Sequence, residues 1–138
     1  MSLWRASGGS DDDRIAGSDG DDSLVGNAQK DRIDGGEGND SIKGHGGRDK
    51  LSGGAGNDTL RGSASGDFLA GQAGADELFG EGGNDRLGGD GEDTLHGGAG
   101  ADYFFCVDDI VDNLFGDGGD DSADADKIDL LNSVYNKR

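Results

Sequence analysis

The sequence predicts an all-β fold, a parallel β-roll in which two sheets are wound from nine-residue units and closed by a C-terminal cap. Three observations predict it: a nine-residue period found eleven times, one large apolar residue in each period, and glycines at fixed places between them. Gly35–Lys43 reads GGEGNDSIK and Gly53–Arg61 reads GGAGNDTLR, which gives the template G-G-x-G-x-D-x-U-x with U large and apolar. Position one is glycine in all eleven units, from Gly8 to Gly97.

Each unit divides into a six-residue loop and an x-U-x triplet with strand alternation, one side chain inward and two outward. Position eight reads Ile15, Leu24, Ile33, Ile42, Leu51, Leu60, Leu69, Leu78, Leu87, Leu95 and Phe104. A triplet, a turn and a second triplet facing the first make one coil of eighteen residues, and stacked coils place parallel strands about 4.8 Å apart. The eleven units therefore make a roll about 25 Å long, with the U residues as a dry central stack. Ahead of it, residues 1–7 form an N-terminal segment whose Leu3 and Trp4 are placed to cover the first coil. Residues 8–105 are the roll and 106–138 a capping region, needed because a bare last coil exposes a sheet edge. In that region Gly116–Asp124 reads as a decayed twelfth unit with Ala123 at the core position.

Composition says that this stack does not hold the fold alone. Leu, Ile, Val and Phe together number only 25, against a net charge of −18. That combination marks a chain unable to collapse on its own apolar surface. Two details count against an acidic disordered tail: the acid type, 26 Asp to 4 Glu, since Asp is the short carboxylate suited to tight loops, and glycines held at fixed positions. A single cysteine, Cys106, excludes an internal disulfide framework, and no apolar run approaches membrane-spanning length. With a pI near 4.1, nucleic acid is a poor partner.

Position six carries Asp13, Asp22, Asp31, Asp40, Asp49, Asp58, Asp67, Asp76, Asp85, Asp93 and Asp102. Stacked along the roll these carboxylates repel, so a cation is required. Carboxylates beside carbonyls turned by flexible glycine loops make an all-oxygen site, which selects Ca2+ over the stricter octahedron of Mg2+. No EF-hand pattern is present.

The repeat resembles that of the RTX (repeats-in-toxin) family, also described as hemolysin-type calcium-binding repeats, over Gly8 to about Phe105. The resemblance implies calcium between the loops of units n and n+2, with both aspartates and carbonyls of loop positions one to four as ligands. Carried over, one edge holds the pairs Asp13–Asp31, Asp31–Asp49, Asp49–Asp67, Asp67–Asp85 and Asp85–Asp102. The other holds Asp22–Asp40, Asp40–Asp58, Asp58–Asp76 and Asp76–Asp93, up to nine sites in all. The implied carbonyl ligands include those of Gly36, Gly38, Gly53, Gly54, Gly56, Gly71, Gly74, Gly89 and Gly91. It further implies an extracellular protein exported by type I secretion, with any enzyme or toxin activity in a parent domain outside this chain. Asp126–Leu131, DKIDLL, resembles the strand that closes many such rolls.

Two departures stand out. Position four is Asp11, Gln29 and Ser65 in three units on the first edge, where left-handed backbone is harder for a side chain. One residue is missing between Asp85 and Asp93. No catalytic constellation is present: His45 and His96 read as solvated surface, Cys106 as a structural thiol, and neither a metalloprotease nor a triad spacing occurs. The chain reads as a non-enzyme. A second reading comes from position seven of alternate units, Arg14, Arg32, Lys50, Phe68, Arg86 and Tyr103, a basic-aromatic ladder suited to an anionic polysaccharide.

Overall fold

The computed structural model describes residues 4–106, 108–125 and 130–132. These residues wind into two parallel sheets with no helix among them. One sheet runs β1 (Arg5–Gly9), β3 (Ser23–Asn27), β5 (Ser41–Gly46), β7 (Thr59–Ala64), β9 (Glu77–Gly82), β11 (Thr94–Ala99), β13 (Asn113–Gly118) and β15 (Leu130–Asn132). The other runs β2 (Arg14–Asp19), β4 (Arg32–Glu37), β6 (Lys50–Ala55), β8 (Phe68–Ala73), β10 (Arg86–Asp90), β12 (Tyr103–Cys106) and β14 (Ser122–Ala125). Successive strands alternate between the sheets, and each pairs in parallel with the strand one coil on, as a β-roll requires.

Most strands are about twice the length of the x-U-x triplet, because they run on through loop position one to positions two and three, which also pair across coils: Gly36 faces Gly54 and Glu37 faces Ala55. Only positions four to six are left to turn the chain between sheets. Inward, the position-eight column is dry: Leu24, Ile33, Ile42, Leu51, Leu60, Leu69, Leu78, Leu87, Leu95 and Phe104 are fully buried. At the N-terminal end Ala6 and Ile15 are only partly buried, and Trp4, expected to cover the first coil, is 59% exposed. Outward, Arg61 lies 4.1 Å over Phe79, whose ring stacks 5.1 Å from His96, which in turn stacks 4.6 Å from Phe115.

The winding reaches past the repeat at both ends. Arg5 faces Ser23 and Ala6 faces Leu24, so residues read as a preceding segment already form a strand; Leu3 lies outside the described residues. Beyond Phe105, where the sequence pattern stops, Leu114 faces Leu95 and Ala123 faces Phe104. Ala123 thus takes the core position expected of it, but the unit before it, Asp112–Leu114, makes it the thirteenth rather than the twelfth. Eight strands at about 4.8 Å make the larger sheet about 34 Å across, longer than the repeats alone imply. Of the closing segment Asp126–Leu131, only Leu130 and Leu131 fall within the described residues, in β15.

The missing residue before Asp93 falls early in its loop. Gly88 faces Ala70 and Asp90 faces Ala73, so Gly71 and Gln72 share the single Gly89. Position six regains its place one residue early, and Leu87 and Leu95 stay in the core.

Candidate metal centre

The position-six aspartates form two ladders, one on each edge of the roll. On the first, the backbone N–H of Asp13 donates to Asp31 Oδ1 at 2.9 Å, Asp31 to Asp49 and Asp49 to Asp67 at 2.8 Å, Asp67 to Asp85 at 2.7 Å and Asp85 to Asp102 at 2.8 Å. On the second, Asp22 donates to Asp40 and Asp40 to Asp58 at 2.7 Å, Asp58 to Asp76 at 2.8 Å and Asp76 to Asp93 at 2.9 Å. Every aspartate pair implied by the resemblance is therefore a contacting pair. Each carboxylate reaches back one coil, which fixes its orientation.

Oδ1 is satisfied by this bond and Oδ2 is not. From Asp13 to Asp102, Oδ2 of each position-six aspartate is buried and accepts no hydrogen bond. A charged oxygen held this way is among the most costly groups a fold can bury. The position-one glycines make room for it. A Cβ on Gly53 would collide with Oδ2 of Asp58, and one on Gly35 with Oδ2 of Asp40, so a side chain there would fill the space the carboxylate occupies.

Electrostatics tell the same story in the metal-free chain. Desolvation raises the carboxyl pKa of Asp58 and Asp102 to about 6 and of Asp67 and Asp93 to about 7. The bond from the preceding aspartate's N–H lowers each value, and neighbouring aspartates raise it again. Asp40, Asp49, Asp76 and Asp85 are pushed up from the usual range, also chiefly by burial.

The glycine positions lie on the loops of the second edge. A Cβ on Gly56 would meet the carbonyl oxygen of Gly38, and one on Gly74 or Gly91 that of Gly56 or Gly74. Gly54 similarly sits against the carbonyl of Gly36, Gly53 against that of Gly71, and Gly89 beside Oδ2 of Asp93. Carbonyl oxygens and carboxylates thus come together coil upon coil. Among the described residues no three His, Cys, Asp or Glu side chains converge on one point. The atoms these loops offer are carboxylate and main-chain oxygens, a chemistry that fits calcium and not a thiolate- or imidazole-binding metal.

Two aspartates in the same ladders escaped the sequence reading. Asp93 N–H donates to Asp112 Oδ1 at 2.7 Å and Asp102 N–H to Asp121 Oδ1 at 2.9 Å. Both side chains are buried. The residues that sequence analysis set aside stand elsewhere: His45 at loop position two, His96 in the outer aromatic column, and Cys106 in the core.

A second ladder of main-chain N–H groups on side-chain oxygens runs along position five in the opposite sense. Asn57 N–H donates to Asn39 Oδ1 at 2.8 Å and Ala75 N–H to Asn57 Oδ1 at 3.0 Å. Position six reaches toward the preceding coil and position five toward the next, so the loops are tied in both directions.

A family profile described as RTX calcium-binding nonapeptide repeat (4 copies) matches residues 7–42, 27–60, 34–69, 61–89 and 87–105. No curated protein and no solved structure matches the chain.

Proposed function

Because the chain belongs to the RTX calcium-binding nonapeptide repeat family, we propose that it is a module whose folding is driven by binding several calcium ions between its coils. The observation that supports the reading is the row of buried Oδ2 oxygens without a hydrogen-bond donor. Calcium, when bound, supplies the positive charge that these carboxylates lack. Asp13 to Asp102 hold it in nine pairs, with carbonyls of the loop glycines, Gly36, Gly38, Gly54 and Gly56 among them, completing the oxygen set. Asp112 and Asp121 extend each row by one pair beyond the recognisable repeat. Both lie in the region 106–138, which serves as the cap.

Metal-free, the fold would bury a stack of like charges around a core of one large side chain per unit. Binding free energy becomes folding free energy in such a case. Weak sites of this kind fill at about 0.1–1 mM calcium, an extracellular level. The module is therefore a secreted one, exported unfolded by type I secretion and folded as metal arrives. Its role is structural, and any catalytic activity would belong to another part of a longer parent protein.

Circular dichroism in excess chelator, followed by a calcium titration, tests this reading. A disordered spectrum that becomes β cooperatively is expected. A β spectrum persisting in chelator at neutral pH overturns it.

A second reading, an anionic-polysaccharide module, is favoured by one observation. The position-seven ladder is in register across five strand pairs, Arg14 facing Arg32, then Lys50, Phe68, Arg86 and Tyr103. Binding of a sulfated glucan, but not its neutral parent, in calcium buffer is the expected result.

A further inference from the structure

We propose that calcium on the first edge sets the sign of a groove beside it, and so gates the binding of a linear anionic polysaccharide. The proposal rests on the calcium reading and deepens the second one. Two hollows of about 390 and 350 Å3 run along this edge and share Lys30 and Lys50, so they form one continuous groove. Arg14, Arg32, Lys50 and Arg86 come to it from position seven, and Lys30 and Arg48 from position five of the loops. These are six of the 12 lysines and arginines of a chain whose net charge is −18. Cations recurring at the coil spacing of about 4.8 Å match a straight polymer with regularly spaced charges.

The same groove is lined by Asp12 and by four ladder aspartates, Asp13, Asp31, Asp49 and Asp67. In a folded roll whose pairs here are empty, the six cations face five carboxylates and the groove carries a formal charge of only +1. Ions in the pairs Asp13–Asp31, Asp31–Asp49 and Asp49–Asp67 would each add two, leaving the cations unopposed. A groove of one sign concentrates a polyanion by its field, an effect that falls with salt. Calcium thus acts on this surface as well as on folding.

The aromatic residues favour a polysaccharide over a nucleic acid. Base recognition on single strands needs free ring faces. Here Lys50 lies 5.2 Å from the Phe68 centroid, Phe68 stacks on Phe105 at 5.5 Å, and Arg86 covers Tyr103 at 5.2 Å. The rings are engaged, and charge does the recognition.

The test uses the full chain in calcium, with dextran sulfate, neutral dextran and oligothymidylate as probes, and circular dichroism to confirm folding of each variant. Dextran sulfate should bind and neutral dextran should not. Arg48→Glu with Lys50→Glu should weaken binding at least tenfold, while Lys43→Glu on the opposite sheet should not. Asp49→Asn separates gating from fixed charge, because its two alternatives differ in sign. If Asp49 acts only as a fixed negative charge, removing it strengthens binding. If the ions set the sign, losing them weakens binding at least threefold in a roll that is still folded, which is the expected result. Strengthened binding by Asp49→Asn overturns the gate, and tighter binding of oligothymidylate than of dextran sulfate overturns the polysaccharide. A chain that folds in calcium yet treats both dextrans alike overturns the groove alone. A chain that does not fold in calcium overturns the calcium reading beneath it.

Discussion

At the scale of single residues, the demands at positions one and six are two sides of one constraint. The carboxylate folds back under its own loop, so Gly53 can carry no Cβ without striking Oδ2 of Asp58. Gly53→Ala should therefore displace a ligand, cost on the order of 1–3 kcal/mol as an overpacked site does, and raise the calcium midpoint of folding several-fold. Gly46 is the control, since its added Cβ would meet nothing closer than the Asn27 carbonyl at 3.6 Å. Gly46→Ala should leave the midpoint within about twofold, a difference under about 0.5 kcal/mol as for most surface changes. Equal shifts for the two variants would show that the position-one glycines do not make room for the carboxylate. The core position is more sensitive still. Leu60 is fully buried between coils on both sides, and Leu60→Asp strands a charge that no ion reaches. Asp58→Asn, by contrast, touches at most two pairs and leaves their carbonyls in place. A calcium titration followed by circular dichroism should rank Leu60→Asp as the worse of the two. The reverse order would mean that the interior is not dry.

At the scale of the loop, the two edges are unequal, and more so than position four alone indicates. The first edge holds Asn27, Gln29, His45, Ser63, Ser65 and Glu81 at φ between 72° and 89°, whereas the second, up to Asp93, holds only Ser18 and Gln72 in that region. A side chain at positive φ costs on the order of 1 kcal/mol, enough to weaken a site several-fold. Ser65→Gly should therefore lower the calcium midpoint and Gly56→Ser should raise it. At limiting calcium, the Asp40–Asp58 and Asp58–Asp76 sites should fill before those at the Gln29 and Ser65 loops. Equal metal occupancy along both rows in a crystal grown at limiting calcium would refute the asymmetry. Position four was legible in the sequence because glycine dominates it; position two was not. Ser18, Asn27, His45, Ser63, Gln72 and Glu81 share no chemistry there, and only the backbone records that the residue is left-handed. Asp112 and Asp121 were hidden for a related reason. Cys106 stands where position-one glycine belongs, and the loop to Asp112 is one residue longer, so a rigid nine-residue template slips out of phase just where the ladder continues. What the template reads well is one side chain per unit in the core and one in the ladder. What it misses is geometry carried by the main chain.

At the scale of the whole molecule, the stacked carboxylates make the metal-free and calcium-loaded chains respond to pH in opposite directions. In the metal-free roll the buried aspartates have raised pKa values, about 6 for Asp58 and Asp102 and about 7 for Asp67 and Asp93. The folded state then binds more protons than the unfolded chain, whose aspartates titrate near 3.9. Linkage gives the sign: whatever stability the metal-free roll has is fully present below the unfolded value and is lost as pH rises through 6 and 7. At neutral pH it is at its least stable, which is the condition under which calcium is needed. Calcium requires the ionised carboxylate, so the loaded roll behaves the other way, and its calcium midpoint should rise as pH falls from about 7.5 to about 5. In chelator, circular dichroism over the same range should show β structure increasing as the solution becomes more acidic. General relief of the −18 net charge would also favour compaction in acid, so the ladder must be distinguished from the surface. Asp67→Asn imitates the protonated, buried carboxyl and should remove part of the acid response in chelator, whereas Asp90→Asn, at an exposed position, should leave it nearly unchanged. If both variants flatten the response equally, the effect is diffuse repulsion. If the metal-free chain gains structure as pH rises, the buried ladder does not govern the folding of this roll.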